Sequence, residues 1–301
     1  MIVVFGSINI DQVYQMAVLP KPGETIHGSG YLQVPGGKGA NQALAARRSG
    51  ASVLMVGCVG DDVNAGPALS LMKADNVDLS AVTVGNRPTG CAAIWVGGDA
   101  ENSIVVVAGA NADLKANLVT DQMLREARYL LLQMEVPAEE NWALLVRAKA
   151  MGVKTMLNLA PVSSIPENAL QDLDYLVVNE VEATALAKQH NITGVDSENL
   201  ARTLASTFNL TCVLTLGGAG VVAADSGKVV QNDSLKIKPV DTTAAGDSFI
   251  GGFAAALAEG RSLEDALQFA TVTAGLACTV AGAQSSIPYR TKIDEVLQSL
   301  L

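Results

Sequence analysis

The sequence predicts an α/β protein with a mainly parallel central sheet covered by helices. From residue 118 onward, strand-like apolar runs alternate with helical periodicity, which indicates repeated β-α units joined by right-handed crossovers. Hydrophobic residues make up 49% of the 301-residue chain but aromatic residues only 4%, so small aliphatic residues and glycine supply the core, as is typical of such sheets. Polar residues follow the ends of successive strands, which predicts a ligand site at one edge of the sheet.

The chain begins with a buried strand over residues 2–6, followed by two polar side chains, Asn9 and Asp11. Because these residues are two positions apart, an extended backbone places them on the same side. They could bind adjacent hydroxyl groups of a ligand, or they could form the local hydrogen bonds of a turn. The sequence alone leaves both interpretations open.

Two segments predict a small β-sheet outside the main one. Short alternating runs over 12–34 are interrupted by prolines, and strands over 89–107 surround a Gly97-Gly98-Asp99 turn. We expect the two segments to form one discontinuous lid on a single domain that spans residues 1–301.

A glycine-rich turn, PGGKGANQ at residues 35–42, opens an alanine-rich helix that ends near Gly50. The free N–H groups at the start of a helix favour an anion there. The turn is not a Walker A loop, because Gly39 follows Lys38 where Ser or Thr is required, and it also lacks the dinucleotide spacing. By spacing alone it is a weak signal for an anion site.

The remaining elements follow the same alternation. Strands are predicted over 53–59, 129–134, 153–157, 175–178 and 211–216, with a hairpin over 220–240. Helices are predicted over 118–127, 139–151, 167–172, 180–189, 196–208, 246–259, 263–281 and 291–300. The strand ends carry Glu135, Asn158, Asn179, the glycine-rich segment 215–220 and Asp241. A purely structural role would not concentrate polar residues at one sheet edge, so the pattern favours a ligand site.

The stretch DTTAAGDSF at residues 241–249 joins a strand-like run to an apolar helix that ends before Gly260. Small residues at a helix N-terminus suit an anion, and Asp247 lies in the same place. Such a carboxylate could take a proton from a hydroxyl that attacks phosphate, or it could simply cap the helix. This stretch by itself does not decide between the two.

Composition excludes several classes of function. The formal charge of −10 and the lack of a basic patch argue against a nucleic-acid partner. The four cysteines are scattered singly among apolar residues, and the two histidines, His27 and His190, lie far apart, which argues against disulfides, a zinc site or a Ser-His-Asp triad. No apolar run reaches transmembrane length and no signal-like segment precedes the first strand, so we expect a cytoplasmic protein without membrane contact.

The two glycine-rich turns and their helices, residues 35–42 and 241–247, resemble the signature motifs of the phosphofructokinase-B-type (ribokinase-like) family of carbohydrate kinases. The likeness runs from end to end and includes GSINID at 6–11, PGET at 22–25, GAN at 109–111, QME at 133–135, NEVE at 179–182, TLG at 215–217 and GAQSSIP at 282–288. So many motifs in order make the resemblance specific. It implies a three-layer αβα sandwich with a mainly parallel sheet and a small β lid.

The resemblance also implies roles for individual positions. Asp247 is similar to the catalytic base, and Ala244, Ala245 and Gly246 look like the anion hole for the transferred phosphoryl group. The implied sugar contacts are Asn9, Asp11, Gly37, Lys38, Asn41 and Glu135. Asn179 and Glu182 match positions near the phosphates and the magnesium water shell, and the implied nucleotide contacts are Thr215, Gly217, Gly220, Gly246 and Thr271. Positions of an activating monovalent cation, usually potassium, are matched by Asp241, Thr243, Ala277, Val280, Gly282 and Ser286.

The implied activity is phosphoryl transfer from ATP, with Mg²⁺ and K⁺, to a primary hydroxyl of a pentose, with O5 of D-ribose as the expected acceptor. Deoxyribose, another sugar or a nucleoside is the alternative acceptor. Thr271 departs from the family pattern, since members often carry a histidine near the adenine at this point. The expected partners are a sugar, ATP and a second copy of the chain, which would cover the lid's strand edges. A nicotinamide-dependent oxidoreductase and a non-catalytic sugar-binding protein are the rival hypotheses.

Overall fold

The computed structural model describes residues 1–98, 101–192, 196–225 and 227–300. Within these residues the chain alternates between strands and helices, as the sequence predicts. The strands are β1 (Ile2–Phe5), β2 (Asn9–Gln15), β3 (Gly30–Gly36), β4 (Val53–Val59), β5 (Asp78–Val84), β6 (Gly90–Val96), β7 (Asn102–Val107), β8 (Tyr129–Gln133), β9 (Lys154–Asn158), β10 (Tyr175–Asn179), β11 (Thr211–Thr215), β12 (Val221–Ala224) and β13 (Val229–Asn232).

Ten α-helices accompany these strands in the described part of the chain. They are α1 (Lys38–Arg48), α2 (Ala65–Ala74), α3 (Asp121–Glu126), α4 (Ala138–Ala150), α5 (Glu167–Gln171), α6 (Glu180–Gln189), α7 (Ser197–Phe208), α8 (Ala245–Ala258), α9 (Leu263–Ala277) and α10 (Arg290–Ser299). Short 3₁₀ turns cover Gly109–Asp113, Ala116–Leu118, Gly217–Ala219 and Gln284–Ser286. None of the described helices is both long enough and apolar enough to cross a membrane.

Nine strands form the main sheet in the order β13-β12-β11-β10-β9-β8-β1-β4-β5. The pairs from β11 to β5 are parallel, and only the last two strands, β12 and β13, pair antiparallel. After β1 the chain adds β4 and β5 on one side, and β8 to β13 on the other. The strand order therefore reverses at β1, and the crevice beyond the carboxyl ends of β1 and β8 is where an open α/β sheet binds ligands.

The main sheet is the middle of three layers. In β1, Val3 and Phe5 point into one apolar cluster and Ile2 and Val4 into another, as the twofold side-chain alternation of a strand requires. Helices α3 to α7 cover the first face, whereas α1, α2, α8, α9 and α10 cover the second. This confirms the predicted three-layer fold and explains the continuous apolar runs, since both faces of the sheet are buried.

The second sheet has four strands in the order β3-β2-β6-β7. Strands β2 and β3 begin at Asn9 and end at Gly36, so they extend beyond the predicted 12–34 segment at both ends. Asn9 and Asp11 therefore lie on this second sheet, and not at the edge of the main one. Asp99, expected in the turn between β6 and β7, lies outside the described residues.

Two segments differ from the sequence-based expectation. Strand β5 is not among the predicted strands, but it pairs with β4 as the last strand of the main sheet. Conversely, the predicted hairpin over 220–240 ends at Asn232, and residues 233–240 form no strand. Strand β13 is the edge of the sheet, and the following segment packs on α9, where Gly275 leaves room for Leu235. The predicted helix 263–281 likewise ends earlier, at Ala277.

Candidate active site

Asp247 lies in the first turn of α8 and is only 6% exposed. Its Oδ2 accepts a hydrogen bond of 2.9 Å from Asn41 Nδ2, and its Oδ1 accepts one of 3.0 Å from Gln42 Nε2. Among the described residues, these hydrogen bonds come from α1 and not from the amides of α8. The geometry therefore argues against the helix-capping interpretation of Asp247 and leaves its carboxylate aimed between the two helices.

Close packing of α8 on α1 brings these groups together. Gly251, one turn after Asp247, faces α1 so closely that an added Cβ atom would lie 2.4 Å from Ala45 Cβ and 2.6 Å from Ala46 N. A larger residue at position 251 could not be accommodated without separating the helices. The small side chains of both helices are thus what allows Asp247 to reach Asn41 and Gln42.

One face of α1 carries the polar groups of the site. Lys38, Asn41 and Gln42 are three and four residues apart, a spacing that places them on one side of a helix. The helix begins after Gly37, whose φ of 90° is unfavourable for residues with a Cβ atom. An added Cβ at Gly37 would also lie 2.8 Å from Asn9 N, so the backbone of this turn lies directly against the second sheet.

Asn9 and Asp11 approach the site from the second sheet and are 3% and 9% exposed. Asn9 Oδ1 accepts a hydrogen bond of 2.7 Å from Asn111 Nδ2, so its amide is held by a distant residue and not by a local turn. The Asp11 carboxylate lies against Gly36, where an added Cβ would fall 2.2 Å from Asp11 Oδ2. Gly36 therefore leaves the space that this carboxylate occupies.

Glu135 follows β8 and closes the other side of the pocket. Its Oε2 accepts hydrogen bonds from Ser7 Oγ at 2.6 Å and from Lys38 N at 3.0 Å. Ser7 Oγ in turn accepts a bond of 3.2 Å from Gly39 N. These contacts fix the turn after β1, the start of α1 and the end of β8 relative to one another at the point where the strand order reverses.

The charges of this pocket interact. Burial, together with the nearby carboxylates of Glu135 and Asp247, raises the pKa of Asp11 from 3.8 to about 7. The pKa of Lys38 is raised, chiefly by Asp247, against the opposing effect of burial. At neutral pH the Asp11 carboxyl can therefore both donate and accept hydrogen bonds, which suits a hydroxyl-rich ligand.

A cleft of about 880 Å³ adjoins this pocket across the start of α8. Its walls come from the glycine turn after β11, the segment 234–239 and one side of α9. The predicted nucleotide residues Thr215, Gly217, Gly220, Gly246 and Thr271 all line it. Positive φ values of 54° at Gly217 and 101° at Gly220 explain the need for glycine in this turn. The cleft is large enough for a nucleotide.

A smaller pocket joins the two regions. It is lined by Lys38, Asn179, Glu182 and the turn from Thr242 to Asp247, among others. Asn179 and Glu182 form a reciprocal capping box at the start of α6, with bonds of 2.9 Å from Glu182 N to Asn179 Oδ1 and 2.8 Å from Asn179 N to Glu182 Oε2. Asn179 and Glu182 therefore do cap α6. Burial nevertheless raises the pKa of Glu182, so a cation beside it would be stabilising.

The start of α8 offers N–H groups to an anion. Ala244 is in the left-handed region, with φ of 57°, and it turns the chain into the helix. Ala245 N donates to the Thr242 carbonyl at 3.2 Å, so this amide is already used. The amides of Gly246 and Asp247 follow in the first turn, where N–H groups have no intrahelical acceptor. The amides of Gly246 and Asp247 are thus available to an anion, and the anion hole expected at 244–246 stays a prediction.

The predicted cation residues lie in two facing turns. Asp241 Oδ1 accepts from Thr243 N and its Oδ2 from Gly282 N, both at 2.8 Å. These bonds outweigh burial, so the pKa of Asp241 is lowered. Ala277 ends α9, Val280 follows it, and the Ser286 hydroxyl donates to the Ala283 carbonyl at 2.8 Å. In the described residues no cluster of three or more His, Cys, Asp or Glu side chains could hold a metal ion, so a cation here would rely mostly on carbonyl oxygens.

Four polar residues near the site were given no individual role by sequence reasoning: Ser7, Gln42, Asn111 and Gln133. Ser7 and Asn111 hold Glu135 and Asn9, and Gln133 Nε2 donates to Gln42 Oε1 at 2.8 Å. The spacing of Gln42 from Lys38 is a usable signal, because it predicts a shared helix face. No comparable signal exists for Ser7, Asn111 and Gln133, which come from separate turns or strands.

Comparison with known proteins agrees with this geometry. A model of the pfkB family of carbohydrate kinases matches residues 1–290. Ribokinases of Haemophilus influenzae and Bacillus subtilis are each 38% identical to this chain over 98% of its length and over 97% and 99% of theirs. The ribokinase of Thermotoga maritima superposes with a TM-score of 0.93 at 36% identity over 99% of both chains. A ribokinase of Arabidopsis thaliana, solved in complex with ribose and ATP, has a TM-score of 0.90 at 32% identity over 99% of this chain and 98% of its own.

The resemblance drawn from the motifs is thereby confirmed, because both the family match and the relatives span nearly the whole chain. The rival hypothesis of a nicotinamide-dependent oxidoreductase falls away. This protein belongs to the pfkB family of carbohydrate kinases.

Proposed function

We propose that this protein transfers the γ-phosphoryl group of ATP to O5 of D-ribose and releases ADP and ribose 5-phosphate. The observation that carries this proposal is the position of the buried Asp247 carboxylate, which lies between the polar pocket and the nucleotide-sized cleft. The relatives support the choice of substrates, since they are ribokinases and one was solved with ribose and ATP.

In the proposed reaction, Asp247 acts as the general base. The O5 hydroxyl oxygen attacks the γ-phosphorus, the bond from that phosphorus to the β-γ bridging oxygen breaks, and the hydroxyl proton passes to Asp247. Asn41 and Gln42 hold the carboxylate in place through their amides. The first-turn N–H groups of α8 stabilise the negative charge on the transferred group, aided by the helix dipole.

The sugar is held by the polar groups between the two sheets. Asn9, Asp11 and Glu135 present amide and carboxyl groups that match adjacent hydroxyls, and Gly37 and Asn41 complete the pocket at the start of α1. Lys38 also lines the small pocket between the polar pocket and the cleft, so its ammonium stands near the phosphoryl group as well as the sugar. Carboxylates that accept bonds from hydroxyls discriminate well against ligands that lack them.

The nucleotide occupies the cleft lined by Thr215, Gly217, Gly220 and Thr271. Glu182 and Asn179 stand beside its phosphates, where Mg²⁺ supplies charge neutralisation. The turns at 241–243 and 277–282, with Ser286, would hold K⁺ largely through carbonyl oxygens, next to the start of α8.

The second sheet acts as a lid that excludes water, which would otherwise compete with the sugar for the phosphoryl group. Its edge strand β7 exposes Ile104, Val105, Val106 and Val107 by 51–55%. Such an uncovered apolar edge is unfavourable, and a second copy of the chain would cover it in a homodimer. Analytical ultracentrifugation tests this part, and a strictly monomeric protein at micromolar concentration would contradict it.

Our first prediction concerns turnover. We expect ADP release from ATP to require a pentose, to be greatest with D-ribose across a panel of pentoses, hexoses and nucleosides, and to increase with K⁺. Asp247→Asn should lower kcat by roughly 10²- to 10⁴-fold, because the hydroxyl loses its general base. The KM values for ribose and ATP should change much less.

Asp61→Asn, on an exposed turn, is the matched control and should leave turnover unchanged. Near-normal turnover by Asp247→Asn would eliminate the base role. If no sugar in the panel stimulated ADP release while isothermal titration detected sugar binding, the non-catalytic binding protein would replace the kinase.

A further inference from the structure

A chain of buried side-chain amides leads away from Asp247. Gln42 Nε2 donates to Asp247 Oδ1 at 3.0 Å and to Asn158 Oδ1 at 3.2 Å. Gln42 Oε1 accepts from Gln133 Nε2 at 2.8 Å. Gln42 is 0% exposed, Gln133 1% and Asn158 7%, so these groups are shielded from bulk water.

The chemistry of Asp247 determines the orientation of the Gln42 amide. An ionised carboxylate can only accept hydrogen bonds, so the nitrogen of Gln42 must face it and the oxygen must point away. Gln133 supplies the donor that this oxygen needs. Asn158 takes the second N–H of Gln42, and its own Nδ2 donates to the Val177 carbonyl at 3.4 Å. Every polar atom of the Gln42 side chain is therefore used.

Space for this chain is provided by glycine. An added Cβ at Gly6 would lie 1.9 Å from Gln133 Oε1, so a side chain at position 6 would displace Gln133. Gln133 Oε1 itself has no partner in the described residues, although it is buried. A buried amide that is only half satisfied costs free energy, which favours a role beyond stability for the chain it completes.

We propose that Gln42 is a positioning residue that holds the Asp247 carboxylate in the orientation of the base, with Gln133 fixing the direction of the Gln42 amide. This inference rests on the proposed function, because it assumes that Asp247 accepts the hydroxyl proton. Asn41 contacts the other carboxylate oxygen, but it also borders the sugar pocket. Gln42 is fully buried, so it acts on the reaction only through Asp247.

The surroundings of Asp247 make such a donor necessary. Asp11 on β2, Glu135 after β8 and Glu182 on α6 are acidic groups near it, whereas Lys38 on α1 is the facing cation among the described residues. Repulsion from neighbouring carboxylates opposes a fixed position of the Asp247 side chain. Amide donors to both oxygens hold it in one orientation, as a general base requires.

Gln42→Met tests the inference, because methionine has a similar volume and cannot donate. We expect kcat to fall roughly ten- to a hundredfold, the effect of misplacing a reacting group by up to about 1 Å. The KM values for ribose and ATP should stay within about twofold.

Three further variants separate positioning from general damage. Gln133→Met should lower kcat by a smaller factor, again with nearly unchanged KM values, and it provides the test if Gln42→Met does not fold. Leu44→Ala removes buried carbon from the same helix without touching the amides, so it should lower the unfolding temperature and leave kcat close to that of the wild type. Adding Gln42→Met to Asp247→Asn should cause no further fall in kcat, since Gln42 acts through Asp247.

The possible failures are distinguishable. Normal turnover by Asp247→Asn would overturn the base role on which the inference rests. If Asp247→Asn is inactive but Gln42→Met keeps the wild-type kcat, only the positioning role is wrong. A multiplicative loss in the double variant would also overturn it, because Gln42 would then act independently of Asp247.

Discussion

Asp11, Glu135 and Asp247 place three carboxyl groups in one pocket, with the Lys38 ammonium among them. Burial of Asp11, together with the nearby Glu135 and Asp247 carboxylates, raises its pKa, so the ionised form of Asp11 destabilises the free protein. A sugar has no net charge, so its hydroxyls can donate to these oxygens without adding to the repulsion. The clustered carboxyl groups therefore lower the stability of the free protein, but they provide hydrogen-bond acceptors for the hydroxyls of a polyol.

The raised pKa of Asp11 gives a prediction on stability. Since the pKa of Asp11 is about 7 in the folded protein, above its ordinary value of 3.8, the folded state binds the extra proton between these values. The stabilising contribution of this group is therefore complete below pH 4 and is lost as the pH rises to about 7. We expect Asp11→Asn to gain stability over the wild type by up to about 1.4 kcal/mol per pH unit in that window.

Urea unfolding curves at pH 3.5 to 8, without ligand, measure this difference. The points below pH 4, where Asp11 is protonated in both the folded and the unfolded chain, serve as an internal control. A difference between variant and wild type that stays constant from pH 4 to pH 7 would show that Asp11 is not the group that titrates.

Sequence reasoning reached only part of the site at this scale. The motif around Asp247 made it a candidate base, and the alternation of Asn9 and Asp11 made them candidate ligand contacts. Both patterns left a structural interpretation open, and the family resemblance supplied the roles. The partners of Asp247 were not assigned, because α1 and α8 are joined only by tertiary packing. The same limit applies to Ser7 and Asn111, whose hydrogen bonds cross more than a hundred positions of the chain, with separations of 128 and 102.

Among the elements, the pair α1 and α8 has the strictest geometry. Gly251 lies against Ala45 and Ala46, and the carboxylate and amide groups meet one turn away. The distance between the two helices therefore also sets the distance between the Asp247 carboxylate and its amide donors. A change that separates the helices should affect activity even though it lies outside the pocket.

We predict that Gly251→Ala destabilises the protein by about 1–3 kcal/mol through overpacking, and that it lowers kcat as well. Gly66→Ala is the matched control, because Gly66 is a helical glycine with no atom within 4 Å of an added Cβ. This control should gain about 0.5–1 kcal/mol, since alanine loses less backbone entropy on folding. Thermal unfolding and steady-state kinetics on both variants would measure the contrast, and equal effects would contradict the packing argument.

The regular β-α units were predictable because both faces of each strand are buried and the helices have one apolar face. Strand β5 was missed because it is an edge strand with polar residues such as Asp78, Ser80 and Thr83, whose pattern resembles a turn. Apolar and polar residues alternate over much of the run at 235–240, and this pattern predicts a strand. Whether such a run pairs depends on a neighbouring strand, and the sheet ends at β13.

On the scale of the whole molecule, the order of strands lays the substrates side by side. The polar residues that follow β1 and β8 lie in the polar pocket, Asn158, Asn179 and Glu182 after β9 and β10 line the small pocket, and the turn after β11 lines the cleft. We expect this order to place the acceptor and the donor side by side. The ends of the strands could be predicted from the sequence. The order of the strands across the sheet depends on the crossover connections, and no motif in the sequence specifies these.

The hydrogen bond between Asn41 and Asp247 joins residues 206 positions apart. Contacts of such long separation form late when a chain folds, because much conformational entropy is lost before they are gained. On dilution from denaturant, we expect far-ultraviolet circular dichroism to recover well before kinase activity does. Simultaneous recovery of both signals would contradict this order of events. A truncated chain or a nascent chain still lacking α8 would then contain every described strand and all the proposed sugar contacts, yet remain inactive until its last fifth is complete.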